Sequence, residues 1–288
     1  MLRLLKISIA VVFINKLINI CLAEPPDIHL DNVNFVVGIF EDNPVDPGRL
    51  KYLGQGVLVN HKTVLTASIN LFEDMELRIR IYVWSKTSNN DFQSSNLKFY
   101  ERTVQNIMIF DEAPEIAALY LEKPVNGIIF IWERNYDTFD THNTNNECAL
   151  VKFKLNKAFT KIQVKQRRVK PLGNFKERGC SENTVSKISD FYSSDVKNYF
   201  CALETGKKNC HTQAGAALVC ESRQNPGQYY LAGINILKDN CELMFANTQI
   251  LINSIYRKKK GRGQSSSPEE VGNVEAKLPN SPFFQFLH

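Results

Sequence analysis

The stretch CHTQAGAALVC, residues 210–220, brings together side chains that could do chemistry. His211 could act as a general base, and Thr212 offers a hydroxyl group beside it. A hydroxyl attacks a carbonyl carbon effectively only when a base lies within hydrogen-bond reach and a third group orients that base. No such base is placed for Thr212, and His211 has no placed nucleophile. His61, in a turn between two predicted strands, is interpreted as a surface residue. We therefore expect no assembled nucleophile and base here.

The first 23 residues have the pattern of a secretory signal peptide. Arg3 and Lys6 supply the positive start, an apolar run follows, and cleavage is predicted after Ala23. A membrane anchor is the alternative, but Lys16 interrupts the apolar run before it reaches the about 20 residues of a membrane span. We therefore expect a secreted, extracellular protein without a membrane span.

Removal of this segment would take Cys21 with it and leave six of the seven cysteines. An even number in a secreted chain implies disulfide bonds, and six cysteines allow 15 pairings. Their spacing contains no close pair and no Cys/His cluster typical of zinc, so we predict no metal and no cofactor. The six are Cys148, Cys180, Cys201, Cys210, Cys220 and Cys241.

The body of the chain has the patterning of an all-β protein. It is 43% apolar and 23% charged with a net charge of +5, which is ordinary for a soluble globular protein and does not point to nucleic acid. Short runs of branched and aromatic residues alternate with turn-forming clusters, as in a β-sandwich or barrel. The predicted strands are residues 35–40, 55–67, 77–84, 116–121, 127–132, 148–155, 161–169, 216–222 and 229–237. In the third of these runs, alternation predicts one face of Leu77, Ile79, Ile81 and Val83 and an opposite face of Arg78, Arg80 and Tyr82.

The C-terminal part of the chain changes in character. A helix is predicted within residues 244–259, where Ile250, Leu251, Ser254 and Ile255 can share one face. The basic run from Arg257 to Arg262 is interpreted as a solvated helix end, with an anionic surface or a processing protease as alternatives. The polar residues beyond it are expected to be disordered. The chain ends in a candidate docking motif formed by Phe283, Phe284, Phe286 and Leu287.

Four segments in the same order resemble the chymotrypsin/trypsin-like serine proteases, the peptidase S1 family. GVLVNHKTVLTASINLF resembles the segment that ends in Leu-Thr-Ala-Ala-His-Cys, and EIAALYLEKPV resembles the Asp-Ile-Ala-Leu segment. YFCALETGKKNCHTQAGAALVC resembles the segment that carries the nucleophilic serine. YYLAGINILKDNC resembles the Gly-Ile-x-Ser-Trp-Gly strand and its following cysteine.

The resemblance covers residues 35–256 and implies the fold. It implies an all-β protein of two antiparallel Greek-key barrels with a C-terminal α-helix. The expected organisation is a signal peptide at 1–23, an inactive trypsin-like domain at 24–257 and a tail at 258–288. The boundary between the barrels is expected near residue 125.

The resemblance also implies which residues stand at the catalytic positions. Ile69 stands at the histidine position, Glu115 at the aspartate position and Ala214 at the serine position. A hydrocarbon side chain cannot accept a proton, and a methyl group cannot attack a carbonyl carbon. We therefore expect a pseudoprotease with no catalytic residues.

The other functional positions of the family are changed as well. The oxyanion-hole position is Thr212 and the activation aspartate position is Gln213, while Lys208 stands in the former specificity pocket. No Arg- or Lys-Ile-Val-Gly-Gly activation site precedes the domain, because Phe35 comes before Val36. The residues at the positions of the substrate-binding Ser-Trp-Gly are Ile236, Leu237 and Lys238.

The family pairing of cysteines would use all six that remain after signal removal. It implies the bridges Cys148–Cys220, Cys180–Cys201 and Cys210–Cys241. Gly54 and Asn70 stand where the family has a fourth bridge beside its catalytic histidine. A bridge lost as a pair leaves no free thiol in an oxidising compartment, which supports the alignment.

Together these features predict a secreted pseudoprotease of insect type that binds proteins as a regulator, cofactor or decoy. The expected partner is a protease, an inhibitor or another secreted factor, and Lys208 and Lys238 favour an acidic segment in it. The segment before Phe35 lacks a clip-like cysteine module, which favours seminal fluid or the reproductive tract over a haemolymph immune cascade. The alternatives left open are an unconventional peptidase activity and a polyanion contact through the basic strand from Lys165 to Lys170.

Overall fold

Alternating apolar and polar residues fold the chain into two closed β-barrels of six antiparallel strands each. The described strands are β1 (Val36–Asp42), β2 (Leu50–Asn60), β3 (Thr63–Ala67), β4 (Leu77–Tyr82), β5 (Ser85–Lys86), β6 (Phe92–Gln93), β7 (Phe99–Phe110), β8 (Ala113–Leu121), β9 (Cys148–Leu155), β10 (Ile162–Pro171), β11 (Tyr199–Glu204), β12 (Ala217–Glu221), β13 (Tyr229–Asp239) and β14 (Glu242–Asn247).

The computed structural model describes part of the chain, all of it within the unit Met1–Ile252. The described residues are 30, 32–42, 50–69, 71–72, 75–87, 92–94, 98–111, 113–126, 148–155, 162–171, 180–182, 186, 199–204, 214–221, 227, 229–239, 242–248 and 251, with the backbone alone for 171 and 237–239. The predicted signal peptide, the strand at 127–132 and the tail lie outside these residues. The predicted C-terminal helix lies outside them too, apart from its first residues and Leu251.

The first barrel has the strand order β1-β2-β3-β8-β7-β4 and closes because β4 pairs with β1. Each of its strands points a row of branched side chains inward, where burial removes apolar surface from water. The inward row of β4 is buried at Leu77, Ile79 and Ile81, as the alternation predicts. Tyr82 lies on the opposite face with Arg80, as predicted, and is nevertheless buried, while Val83 follows the end of the strand and is 46% exposed. The ring of Tyr82 is covered by the ring of Phe153 on β9, which lies outside the first barrel.

The second barrel has the order β11-β14-β13-β12-β9-β10 and closes through pairing of β10 with β11. Its core is formed by Leu150, Phe200, Leu218, Leu243 and Phe245, with both cysteines of one bridge among them. The hairpin β5–β6, which lies between β4 and β7 in sequence, adds to the edge of β10. The first half of the chain thus contributes strands to the second barrel.

The helix prediction is wrong at its N-terminal end. Residues 244–247 belong to β14, which pairs with both β11 and β13. Four consecutive residues, from Leu243 to Ala246, are buried. A continuous apolar run of this length fits a strand covered on both faces as well as a helix, so the periodicity there did not distinguish the two.

Candidate functional site

The structure brings the three positions of the implied triad together where the barrels meet. Ile69 and Ala214 line one cleft of about 290 Å³. Glu115 lies close to Ser68, the residue that precedes Ile69. The backbone N–H of Ser68 donates a hydrogen bond of 2.6 Å to the carbonyl oxygen of Glu115. The Ser68 hydroxyl donates to the Pro114 carbonyl at 2.6 Å, which holds the end of β3 against the start of β8.

Ile69 follows the end of β3 and is 54% exposed at the cleft. Its side chain is a hydrocarbon, which neither accepts nor donates a proton at the place where the resemblance implies a base. About half of this apolar side chain therefore stays in contact with water in the free protein. Binding of an apolar group at the cleft would remove this surface from water.

The carboxylate of Glu115 is engaged by a partner that the sequence did not suggest. Glu115 is buried at 3% exposure, and its Oε2 accepts a hydrogen bond from the hydroxyl of Tyr199. Tyr199 opens β11 and is itself buried. Because β8 belongs to the first barrel and β11 to the second, this charge-assisted bond joins the two barrels. Nothing in the sequence around Tyr199 indicates that its hydroxyl contacts Glu115.

Ala214 lies in the turn before β12. The next residue, Gly215, has a backbone conformation and surroundings that require glycine. Gly215 has φ of 87°, a conformation that favours glycine. Its N–H donates to the carbonyl of Asn235 at 2.8 Å. A Cβ atom at Gly215 would lie 2.0 Å from the carbonyl oxygen of Gln55. The turn that presents Ala214 is therefore packed directly against β2 of the other barrel.

Gln55 is a second residue that the sequence did not single out. It is 1% exposed, and its side-chain Oε1 accepts a hydrogen bond from the N–H of Phe153 at 2.5 Å. Its carbonyl oxygen accepts the hydroxyl of Thr66 at 2.7 Å. Gln55 therefore links β2 and β3 of the first barrel to β9 of the second.

Two of the implied disulfide bonds are present. Cys148 bonds to Cys220 and Cys180 bonds to Cys201. The implied Cys210–Cys241 bridge lies outside the described residues. Gly54, one of the two positions of the absent fourth bridge, lines the cleft, and a Cβ placed on it meets no atom within 4 Å. The other position, Asn70, is not among the described residues.

The remaining predicted site residues are placed only in part. Ile236 is buried in β13. Leu237 and Lys238 continue the backbone of that strand, and their side chains are not described. Lys208, His211, Thr212 and Gln213 lie outside the described residues.

A buried ion pair lies inside the second barrel. Lys152 Nζ lies 3.0 Å from Glu204 Oε1, with side-chain exposures of 14% and 1%. The second carboxylate oxygen of Glu204 is buried without a hydrogen-bond partner. Burying a charge costs free energy that an oppositely charged partner offsets. Lys152 therefore stabilises the ionised side chain of Glu204 in this position.

The basic strand divides its charges between two faces. On β10, Lys165 lies opposite Lys152 and shares a face with Arg167, while Arg168 lies opposite Ala149 on the other face. Side chains of successive strand residues point to opposite sides of a sheet. Lys170 shares the face of Arg168, so the basic residues of this strand are divided between its two faces.

Aromatic rings also connect the barrels. The ring of Phe153 on β9 lies 5.8 Å from that of Tyr52 and 5.5 Å from that of Tyr82. Burial raises the pKa of Tyr52, and it raises the pKa of Tyr82 to about 12 against the opposing charge of Arg80. Both phenols therefore stay neutral at physiological pH and pack as aromatic groups.

Among the described residues, the one cluster of potential metal ligands is already engaged in a disulfide bond and in hydrogen bonds. Sulfur and carboxylate atoms of Cys180, Cys201 and Glu242 lie within 4.8 Å of one another. The two sulfurs are joined in a disulfide. Glu242 accepts hydrogen bonds from the N–H and the hydroxyl of Ser181, both at 2.6 Å. Since metals bind thiolates and not disulfide sulfurs, this cluster does not fit a metal.

Two closed barrels with a cleft at their junction define the chymotrypsin-like class of proteins. The family model described as Trypsin matches residues 4–253. The chain therefore belongs to the trypsin family. A search of curated proteins returned no match. Within the described part of the chain, no helix has the length and apolar character needed to cross a membrane.

Proposed function

We propose that this trypsin-family protein is secreted and catalytically inactive, and that it acts by binding other proteins. Its role would be that of a regulator, cofactor or decoy in an extracellular pathway. Both disulfide bonds are compatible with an oxidising, extracellular location. We propose that it is an insect-type protein and that it acts in seminal fluid or the reproductive tract.

One observation carries the proposal of inactivity. Among the described residues at the junction of the barrels, Ile69 and Ala214 line the cleft and supply neither a base nor a nucleophile, and the carboxylate of Glu115 is bound to Tyr199. In a comparable triad, loss of the serine or the histidine alone lowers kcat by about a millionfold. Loss of both functional groups leaves binding as the property that this cleft can still supply.

Capture from secreted fluid tests the binding function. The immobilised full chain is expected to retain a specific secreted protein. Ile69→Asp should weaken that binding at least tenfold, because it places a charge on an apolar contact surface. Tyr100→Asp is the matched control, since Tyr100 is 57% exposed, close to the 54% of Ile69, but does not line the cleft.

The measurement is the dissociation constant of the captured protein for each variant. Failure to retain any protein from fluids of secretory tissues would contradict the proposal. Equal weakening by both variants would exclude the cleft as the binding surface.

A further inference from the structure

The strand register of the second barrel places basic residues together on one face of β9 and β10. Residues paired across antiparallel strands point to the same side of the sheet. Lys165 on β10 is paired with Lys152 on β9. Two residues further along β10, Arg167 is paired with Leu150, which belongs to the core of the barrel. These basic side chains therefore lie on the face that lines the inside of the barrel.

Lys154 extends this basic face towards the end of β9. It lies two residues after Lys152, hence on the same face, and it is exposed whereas the Lys152 side chain is only 14% exposed. On the same face of β9, β10 and β11, Glu204 is the one acidic side chain among the described residues. Lys152, Lys154, Lys165 and Arg167 are called the basic cluster below.

The Lys152–Glu204 ion pair shows where the charged groups of this face meet. In the barrel β10 lies between β9 and β11, and Val169 of β10 is paired with Glu204. Because Lys152 comes from β9 and Glu204 from β11, the 3.0 Å contact of Nζ with Oε1 bridges the inner face of β10. Lys165 and Arg167 lie on that face. Glu204 offsets one positive charge of the basic cluster and leaves three in excess.

Among the described residues, two buried polar atoms of this face have no hydrogen-bond partner. They are Nε of Arg167, which is a donor, and Oε2 of Glu204, which is an acceptor. A buried polar atom without a partner destabilises the folded protein. Arg167 lies two positions from Val169, the partner of Glu204, so the two residues are diagonal neighbours with Cα atoms about 7–8 Å apart. One small group between their side chains can serve both atoms.

The chemistry of these two atoms selects among anions. An excess of positive charge favours a multivalent anion over a single carboxylate. Sulfate offers acceptors only, so it would leave Oε2 of Glu204 unpaired. Hydrogen phosphate has acceptor oxygens and one hydroxyl group, so it can accept from Arg167 and donate to Glu204. Because Lys152, Lys165 and Arg167 are partly buried, their face suits a compact ion better than an extended polyanion.

We propose that the basic cluster and Glu204 form a binding site for inorganic phosphate. Arg167 Nε and the lysine ammonium groups donate to phosphate oxygens, and the phosphate hydroxyl donates to Glu204 Oε2. This site goes beyond the proposed function, which concerns the cleft and requires no anion. It also differs from a polyanion contact along β10, because it uses one face of that strand together with β9.

Isothermal titration calorimetry of the full chain, at about pH 7.5 and constant ionic strength, tests this site. Inorganic phosphate is expected to bind at about one ion per chain and at least about tenfold more tightly than sulfate, which leaves a buried acceptor unpaired. Arg167→Gln should weaken phosphate binding at least about fivefold. Arg168→Gln is the matched control, because it removes the same charge from the opposite face of β10 and should leave the affinity unchanged.

Glu204→Gln tests the origin of the selectivity. An amide group can donate where the carboxylate can only accept, so this variant should lower the ratio of phosphate to sulfate affinity to about one. Lys154→Gln changes an exposed side chain, which leaves the packing intact, and should still weaken phosphate binding at least about threefold. Methyl phosphate serves as the probe for a phosphate group carried by a larger molecule. At this pH it lacks a hydroxyl group, because the second pKa of a phosphate ester is about 6, and it should bind less tightly than inorganic phosphate.

Three results would overturn the proposal. They are the absence of saturable phosphate binding, equal weakening by Arg167→Gln and Arg168→Gln, and binding of sulfate or methyl phosphate that is as tight as that of phosphate. Because the titration contains no protein partner, its outcome is independent of capture from secreted fluid.

Discussion

At the scale of single residues, two buried carboxylates among the described residues have structural partners. Glu115 is bound to Tyr199, and Glu204 is paired with Lys152. The resemblance predicted the position of Glu115 but not its partner, since a hydrogen bond between distant strands leaves no local trace in sequence. The Lys152–Glu204 pair was missed for the same reason, as it joins residues 52 positions apart.

The buried ion pair predicts an asymmetric response to mutation. Lys152→Met leaves the Glu204 carboxylate buried without a counter-charge and should lower the free energy of unfolding by about 3–5 kcal/mol. The double variant Lys152→Met/Glu204→Met removes both charges and should be more stable than the single variant. Urea unfolding of the single and double variants measures the difference. A double variant that is less stable than Lys152→Met would contradict this account.

The Glu115–Tyr199 bond predicts the outcome of rebuilding a triad. Ile69→His with Ala214→Ser should remain close to inactive, because the Tyr199 hydroxyl competes with the imidazole for the buried Glu115 carboxylate. Adding Tyr199→Phe should raise kcat/KM for peptide substrates at least tenfold over that double variant, since a carboxylate that orients the base is worth about 10⁴ in kcat. Initial rates of the two variants are the measurement. An active double variant that Tyr199→Phe does not improve would refute the blocking role of this bond.

At the scale of elements, strands with regular apolar alternation were predicted from sequence and those with mixed surfaces were not. β4 was recognised by its alternating Leu and Ile residues, and β8 by its apolar run IAALYL. β7 was missed because Glu101, Arg102 and Asn106 interrupt any apolar pattern on a strand that is largely open to solvent. β14 was taken for helix because its run of buried residues has no period.

The two described disulfides tie elements together to different extents. Cys148–Cys220 closes a separation of 72 residues and joins β9 to β12, while Cys180–Cys201 closes 21 residues. The loop-closure model gives stabilisations of about 4.4 and about 3.3 kcal/mol, respectively. Replacing Cys148 and Cys220 by alanine should therefore destabilise more than replacing Cys180 and Cys201, as measured by urea unfolding. The reverse order would show that loop length does not determine how much each bridge stabilises the protein.

At the scale of the whole molecule, the site exists because two barrels are fixed against each other. The resemblance predicted the twin barrels, and the family match and the strand topology confirm them. The contacts that set their relative position could not be predicted, because they depend on the three-dimensional packing of Gln55, Gly215 and Phe153. The contribution of β5 and β6 to the second barrel was also not foreseen, since strands this short carry too few residues for a pattern.

A pair of glycines isolates the contribution of barrel packing. Gly215 and Gly227 have φ values of 87° and 85°, but a Cβ collides with Gln55 at Gly215 and meets nothing within 4 Å at Gly227. Gly227→Ala should cost only the about 1–2 kcal/mol of a left-handed conformation. Gly215→Ala should cost at least about 2 kcal/mol more, because the barrels must move apart. Equal thermal midpoints for the two variants would contradict this account of the junction.

The absence of peptide-bond hydrolysis is the central claim, and turnover measures it most directly. The purified full chain is to be incubated with a broad peptide library and, in parallel, with a serine-directed phosphonate. We predict no cleavage above background and no covalent label. Hydrolysis well above background that is abolished by exchanging Glu115 or His211 would contradict the claim.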